Sequence, residues 1–186
     1  MTTTAENRAA SENGRLRQMA NKANELTLGR KLLELMKMEK VASPDIERQA
    51  WWLGRKKGGK RREAEETIGF NFKGNRYKAH FKGKDFLDQE RSWPRVLDAI
   101  DLNLKYCKRE ERRVKEEYRQ MKRRIVMRAK GNKTKERNVS RLLQSIAQTT
   151  QDRWSKGMEK NRNIISWWKK KLVSQKKQTK QTSRQN

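Results

Sequence analysis

The chain has 186 residues, the length of one ordinary domain, and its 49 Lys and Arg against 22 Asp and Glu give a net charge of +27. Its apolar content of 32% lies below the usual value of about 45–50%, so there is material for only a thin core. So large a positive excess favours nucleic acid as a partner over an acidic membrane surface or an acidic protein, and the single cysteine excludes both a disulfide framework and a cysteine zinc cluster.

The N-terminal part is predicted to be helical after a short leader. Residues 1–14 are small and polar and are predicted to be disordered. Over residues 15–40, apolar side chains recur at steps of three and four, as on one face of an amphipathic helix. A short helix from Pro44 to Gly54 completes a predicted helical oligomerisation segment, residues 15–54. Because so polar a chain offers this helix no evident partner of its own, we predict self-association through one seam: Leu16, Met19, Leu26, Leu32 and Leu35.

The middle of the chain is predicted to be a basic linker followed by a β-hairpin. Residues 55–66 form the linker, because residues 55–62 hold six cations and two glycines without an apolar anchor. Apolar residues then alternate with polar ones on both sides of Gly74, which predicts a hairpin over Thr67–Lys82. An isolated hairpin is marginally stable in water, so we expect its aromatic face to pack on a helix. The alternative is that its aromatic side chains stack on single-stranded bases.

The rest of the chain is predicted to be helical. Pro94 opens a helix of about 35 residues, along which mostly apolar side chains at helical spacing form a continuous seam. Two shorter helices follow, over residues 135–156 and 158–173, and residues 174–186 form a predicted disordered basic tail. The predicted fold class is therefore mainly α, with an N-terminal helical or coiled-coil segment, a basic linker, a β-hairpin packed on the long helix, and two shorter helices.

The long helix carries the predicted RNA-binding face. From Lys105 to Arg137 there are fifteen Lys and Arg against five Glu, so most of the cations cannot be paired internally. Guanidinium groups match phosphate oxygens, and an Arg-rich helix can lie in a widened RNA groove or follow a duplex backbone. The competing interpretation is a solvated face of ion pairs at helical spacing. Within a nucleic-acid-binding region predicted over residues 67–173, the RNA-binding residues are Lys108, Arg109, Arg112, Arg113, Arg119, Lys122, Arg123 and Arg124.

The sequence gives little support to catalysis. His80 is the only histidine, and Cys107 lies on the seam of the long helix. Asp98 and Asp101 are three residues apart, a spacing compatible with a metal but more typical of an acidic first turn. No glycine-rich phosphate loop, nucleophile elbow or metal-ligand motif occurs. We therefore expect no enzyme activity, no cofactor, no metal and no small-molecule substrate.

Four stretches, in this order along the chain, carry a resemblance to a known family. Leu28–Leu35 resembles the coiled coil of the delta antigen of hepatitis delta-like agents, and Trp52–Gly54 resembles the segment that follows it. Asp85–Arg91 and Arg109–Val114 are similar to stretches further along the same antigen. The resemblance implies a viral, oligomeric, RNA-binding nucleoprotein that coats a rod-like RNA genome and supports its nuclear replication by a host polymerase.

The same resemblance implies a nuclear-localisation element in the basic linker: Arg55, Lys56, Lys57, Lys60, Arg61 and Arg62. We expect a non-catalytic RNA-binding protein that self-associates and organises RNA largely through phosphate contacts, in the nucleus or an intracellular nucleoprotein particle. No apolar stretch is long enough to span a membrane, and residues 1–6 do not resemble a signal peptide, so secretion is not expected. The alternatives are a DNA-binding accessory protein and an assembly factor of a ribosomal or nucleoprotein particle.

Overall fold

A computed structural model of the protein describes residues 4–41, 67–72, 75–80 and 89–184. The described elements are helix α1 (Thr4–Glu39), strand β1 (Thr67–Phe72), strand β2 (Asn75–His80), helix α2 (Gln89–Ala129) and helix α3 (Lys133–Thr182). The whole predicted linker, residues 55–66, lies outside the described residues, and so do the localisation element within it, residues 55–62, and the predicted short helix after Pro44.

The three helices pack side by side as a bundle. At one end of α1, Lys37 forms an ion pair of 2.7 Å with Asp101 of α2, and near the other end Glu12 pairs with Arg128. These contacts show that α1 runs antiparallel to α2. Contacts of α1 with α3 advance in the same direction along both helices, from Arg17 with Ser145 to Glu39 with Lys169, so these two helices are parallel.

The described core contains two clusters of helical residues. Near the α2–α3 turn, Leu16 of α1 packs with Ile125 of α2 and Leu142 of α3. Further along, α1 contributes Leu26 and Leu32 to a larger cluster, whose other buried members include Ile100, Leu104, Cys107, Val114 and Ile165. The seam predicted on the long helix is confirmed from Ile100 to Ile125, because its a and d positions are buried or partly buried there.

One backbone conformation and two hydrogen bonds stabilise the turn between α2 and α3. Gly131 takes a positive φ of 89°, a conformation that a side chain disfavours and that ends α2 sharply. Asn132 caps α3, since its side-chain oxygen accepts a 3.1 Å hydrogen bond from the Lys135 backbone N–H. Glu136 accepts another from the Gly131 N–H at 3.1 Å. This turn brings the basic faces of α2 and α3 into one body.

The predicted fold class is wrong about the framework of the protein. The sequence predicted a separate N-terminal helical segment, and a hairpin packed on a long helix that two shorter helices follow, whereas the described body is a bundle of three long helices. The strands β1 and β2 pair antiparallel with Thr67 opposite His80. The physical reason is that the apolar faces of the helices cover one another.

The predicted division of the C-terminal part is also wrong, because α3 is one continuous helix of 50 residues. A break was expected at Gly157, since glycine weakens a helix interior. Instead, Gly157 leaves room for Leu28 of α1: a Cβ at this position would lie 2.4 Å from the Leu28 Cδ1 atom. Beside it, the buried Asn161 side chain donates a 2.9 Å hydrogen bond to the Leu28 backbone oxygen. Close approach of the helices therefore explains the glycine.

Three predicted element boundaries are corrected by the structure. The expected leader is helical from Thr4, and the expected tail is helical to Thr182, because its Lys and Gln residues favour a helix and no Gly or Pro follows Gly157. The long helix begins at Gln89 rather than at Pro94. Pro94 therefore lies inside the helix, where it has no N–H to donate to the carbonyl four residues earlier.

Candidate nucleic-acid interface

The predicted RNA-binding residues all lie on α2, and all are solvent-exposed. With about 100° between successive residues of a helix, the cations opposite the core seam recur at steps of three, four or seven residues. This outer stripe consists of Lys105, Arg109, Arg112, Arg119 and Arg123. Lys122 and Arg124 lie on its two flanks. From Lys108 to Arg124 the basic face extends for roughly 24 Å along the helix.

Two of the eight predicted residues are engaged in ion pairs within α2. Arg113 pairs with Glu110 and Glu117, and Arg119 pairs with Glu116 at 3.1 Å. Within the described part of the chain, the other six form no ion pair: Lys108, Arg109, Arg112, Lys122, Arg123 and Arg124. We refer to these six exposed cations as the free cations of α2. A face made wholly of solvated ion pairs, the competing interpretation, therefore accounts for a minority of these residues.

The acidic residues of α2 are partly withdrawn from its surface. Glu111 is buried, and its carboxylate accepts hydrogen bonds from Arg30 at 2.6 Å, Lys115 at 2.6 Å and Thr27 at 2.8 Å. Burial raises the pKa of Glu111, but these hydrogen bonds outweigh that effect and lower the pKa to about 2. The buried Glu110 is also held on the core side of the helix, where it pairs with Arg113 and lies 3.8 Å from Lys22. The outer face is consequently more positive than the sequence count suggests.

The C-terminal part of α3 is a second basic surface, of which sequence reasoning had assigned residues 174–186 to a disordered tail. Nine Lys and Arg and no acidic residue follow Glu159. Lys169 pairs with Glu39 at the end of α1, and α3 then continues for roughly 20 Å to Thr182. Its remaining described cations are exposed: Lys160, Arg162, Lys170, Lys171, Lys176, Lys177, Lys180 and Arg184. The absence of acidic residues was the available signal, but the helical state of the residues after Val173 was not predicted.

One aromatic side chain of this surface is also exposed. Trp167 is 50% exposed, whereas its neighbour Trp168 is 8% exposed and belongs to the core side of α3. The two rings pack edge to face with their centroids 4.8 Å apart, and the Lys171 ammonium lies 4.1 Å from the Trp167 ring centroid. Trp167 therefore belongs to the basic surface, whereas Trp168 belongs to the core side of the helix.

The residues of the predicted self-association seam face the protein's own core. Leu16, Leu26 and Leu32 are fully buried against α2 and α3, and Met19 and Leu35 pack partly buried against the same clusters. The premise that this helix lacks a partner within its own chain is therefore wrong. It failed because helical spacing indicates that a face is buried and does not indicate which element buries it.

The structure describes the surroundings of Cys107 and Asp101, two of the residues considered for catalysis. The Cys107 thiol is buried and lies 3.2 Å from the Leu26 backbone oxygen, and burial raises its pKa to about 12. Asp101 forms an ion pair with Lys37 of α1. Within the described ranges there is no cluster of three or more His, Cys, Asp or Glu that could hold a metal ion. His80 lies in β2.

Comparisons with known proteins give no relative from which a function could be transferred. No protein family, curated protein or solved structure matches this chain. None of the helices in the described part of the chain is long and apolar enough to cross a membrane. The function is therefore argued from the charge and geometry of the described residues.

Proposed function

We propose that this protein is a non-catalytic RNA-binding protein that contacts RNA mainly through its phosphates. The observation that carries the proposal is the set of six free cations on α2, exposed along roughly 24 Å of one rigid helix. Cations that are already held in ion pairs gain less from a phosphate, whereas free cations release the counterions of the RNA on binding. We propose that the protein acts as a nucleoprotein and that it acts in the nucleus.

The α3 extension supports the same proposal. It adds a helix without acidic residues to the body that carries the α2 face, so two basic surfaces are held by one core. Neither surface presents an arrangement of side chains suited to reading base edges, and the expected selectivity for sequence is therefore low. Phosphate contacts that repeat along the RNA backbone would allow the protein to coat an RNA.

The proposal is tested by removing three free cations from α2. The triple variant Arg109→Gln, Arg112→Gln, Arg123→Gln is expected to bind RNA about 10- to 100-fold more weakly near 0.1 M salt, because three phosphate contacts are lost. The control is Arg8→Gln, Arg15→Gln, Arg17→Gln, which makes the same change in net charge on exposed positions of α1. Both variants should retain the helical circular dichroism of the wild type.

Titrations of labelled duplex RNA, single-stranded RNA and duplex DNA at one salt concentration measure these effects. Equal losses in the two variants would show that total charge, not the α2 face, governs binding. Tighter binding of duplex DNA than of either RNA would favour the DNA-binding alternative. Wild-type protein that binds none of the three ligands would refute the proposal, and protein partners that remain after nuclease treatment would then favour an assembly factor.

A further inference from the structure

We propose that Trp167 and the groove beside it on α3 form a stacking site for an unpaired base of single-stranded RNA. The inference deepens the proposed function and rests on it, because it names the form of RNA that one surface would take. An open groove of about 480 Å³ lies on this side of α3. Its lining residues are Lys156, Glu159, Lys160, Asn163, Ile164, Trp167 and Trp168.

The indole of Trp167 is placed where it can serve as a platform. Lys171, one helical turn towards the C-terminus, already makes a cation–π contact with the ring. The lining residues of the groove lie one to three turns towards the N-terminus, the direction in which helical side chains lean. Trp168 packs against the indole edge to face from the core side and limits its orientations. The ring is thus supported from two sides, while half of its surface remains open to solvent.

The charges around the groove suit a nucleotide rather than an apolar ligand. Lys156 and Lys160 line it together with Glu159, so the groove carries a net positive charge, and a phosphate attached to a stacked base has cations about two to three helical turns away. An aromatic ring combined with a basic groove is the pattern by which proteins bind single strands, and the stacking is tolerant of sequence because every base has a π-face. In a duplex, the bases are stacked on each other and cannot reach the indole. The site therefore selects for unpaired RNA.

The test compares variants on a single-stranded oligouridylate that carries one 2-aminopurine, and on inorganic polyphosphate. Trp167→Ala should weaken binding of the oligonucleotide about 5- to 150-fold, the range expected for one lost stacking contact. Its affinity for polyphosphate should stay within about twofold of wild type, because no cation is removed. Trp167→Phe should restore part of the loss. Val173→Ala, at another exposed apolar position of α3, is the matched control and should change neither affinity.

A spectroscopic reading separates stacking from a structural role. Stacking on the indole quenches 2-aminopurine fluorescence, so we expect quenching with wild-type protein and its loss in Trp167→Ala. The inference would be overturned by unquenched fluorescence with bound wild-type protein, by quenching that survives in Trp167→Ala, or by equal losses on both ligands. Wild-type protein that binds neither ligand would instead refute the proposed function. If Trp167→Ala fails to fold, the test uses 2-aminopurine quenching by the wild type and the affinity of the Trp167→Phe variant for the oligonucleotide.

Discussion

Two glutamates of α2, Glu110 and Glu111, lie on its buried side, whereas the eight cations assigned to RNA lie on its exposed face. The eight cations of α2 were assigned to a polar face, and all are exposed because the helical period places them away from the seam. Glu111 lies on the buried side of α2, where a lone carboxylate is costly to bury. Its partners Arg30 and Thr27 come from a helix more than 80 residues away in sequence, so local spacing carries no signal for them. Local spacing likewise carries no signal for the contact between Leu28 of α1 and Gly157 of α3, because the two residues are far apart in sequence.

Glu111 gives the stability of the protein a defined pH dependence. Glu111→Gln should lower the free energy of unfolding at pH 7 by about 2–3 kcal/mol, since a buried charge network loses its anion. The pKa of Glu111 is lowered from 4.5 to about 2, so its contribution is complete above pH 4.5 and is lost as the pH falls towards 2. The stability difference between wild type and variant should therefore shrink over that interval.

Urea unfolding at several pH values between 7 and the acid range measures this difference. The control is Glu116→Gln, which removes a carboxylate from an exposed pair with Arg119 and should change stability by less than about 1 kcal/mol. A difference for Glu111→Gln that stays constant down to the lowest pH would contradict the assigned network.

At the scale of elements, the sequence gives the helices and their buried faces more reliably than their partners. The seams of α1 and of the long helix were both predicted, and the structure buries them together. The separate oligomerisation segment is replaced by a helix that packs within its own chain. The break expected at Gly157 and the tail expected after Val173 failed for a common reason: helix length here depends on tertiary contacts and on the absence of breakers, not on a visible apolar period.

The intramolecular position of α1 leads to a prediction for its buried leucines. Leu32→Ala should lower the free energy of unfolding by about 2–5 kcal/mol, because it opens a cavity in the larger core cluster. Met38→Ala, at a position 68% exposed, should cost less than about 0.5 kcal/mol. The midpoint of thermal unfolding should not depend on protein concentration if α1 is covered by its own chain. A midpoint that rises with concentration, together with a smaller sedimenting species for the variant, would show that the seam joins two chains.

At the scale of the whole molecule, a thin helical core carries two basic surfaces on the outside of one body. The composition predicted this balance, because so few apolar residues can cover only the inner faces of long helices. It could not predict that two glutamates of α2 would turn inward, or that the acid-free end of α3 would be a helix. Both features increase the positive field that RNA would meet. The central claim is therefore that phosphates, rather than bases, supply most of the binding free energy.

The salt dependence of RNA affinity tests this claim most directly. If the six free cations of α2 each neutralise one phosphate, log affinity should fall with log salt at a slope of about −4 for a single strand and about −5 for a duplex. The triple variant Arg109→Gln, Arg112→Gln, Arg123→Gln should reduce the magnitude of that slope by about 2 to 3, while the α1 control changes it less. A wild-type slope near zero would contradict phosphate-driven binding.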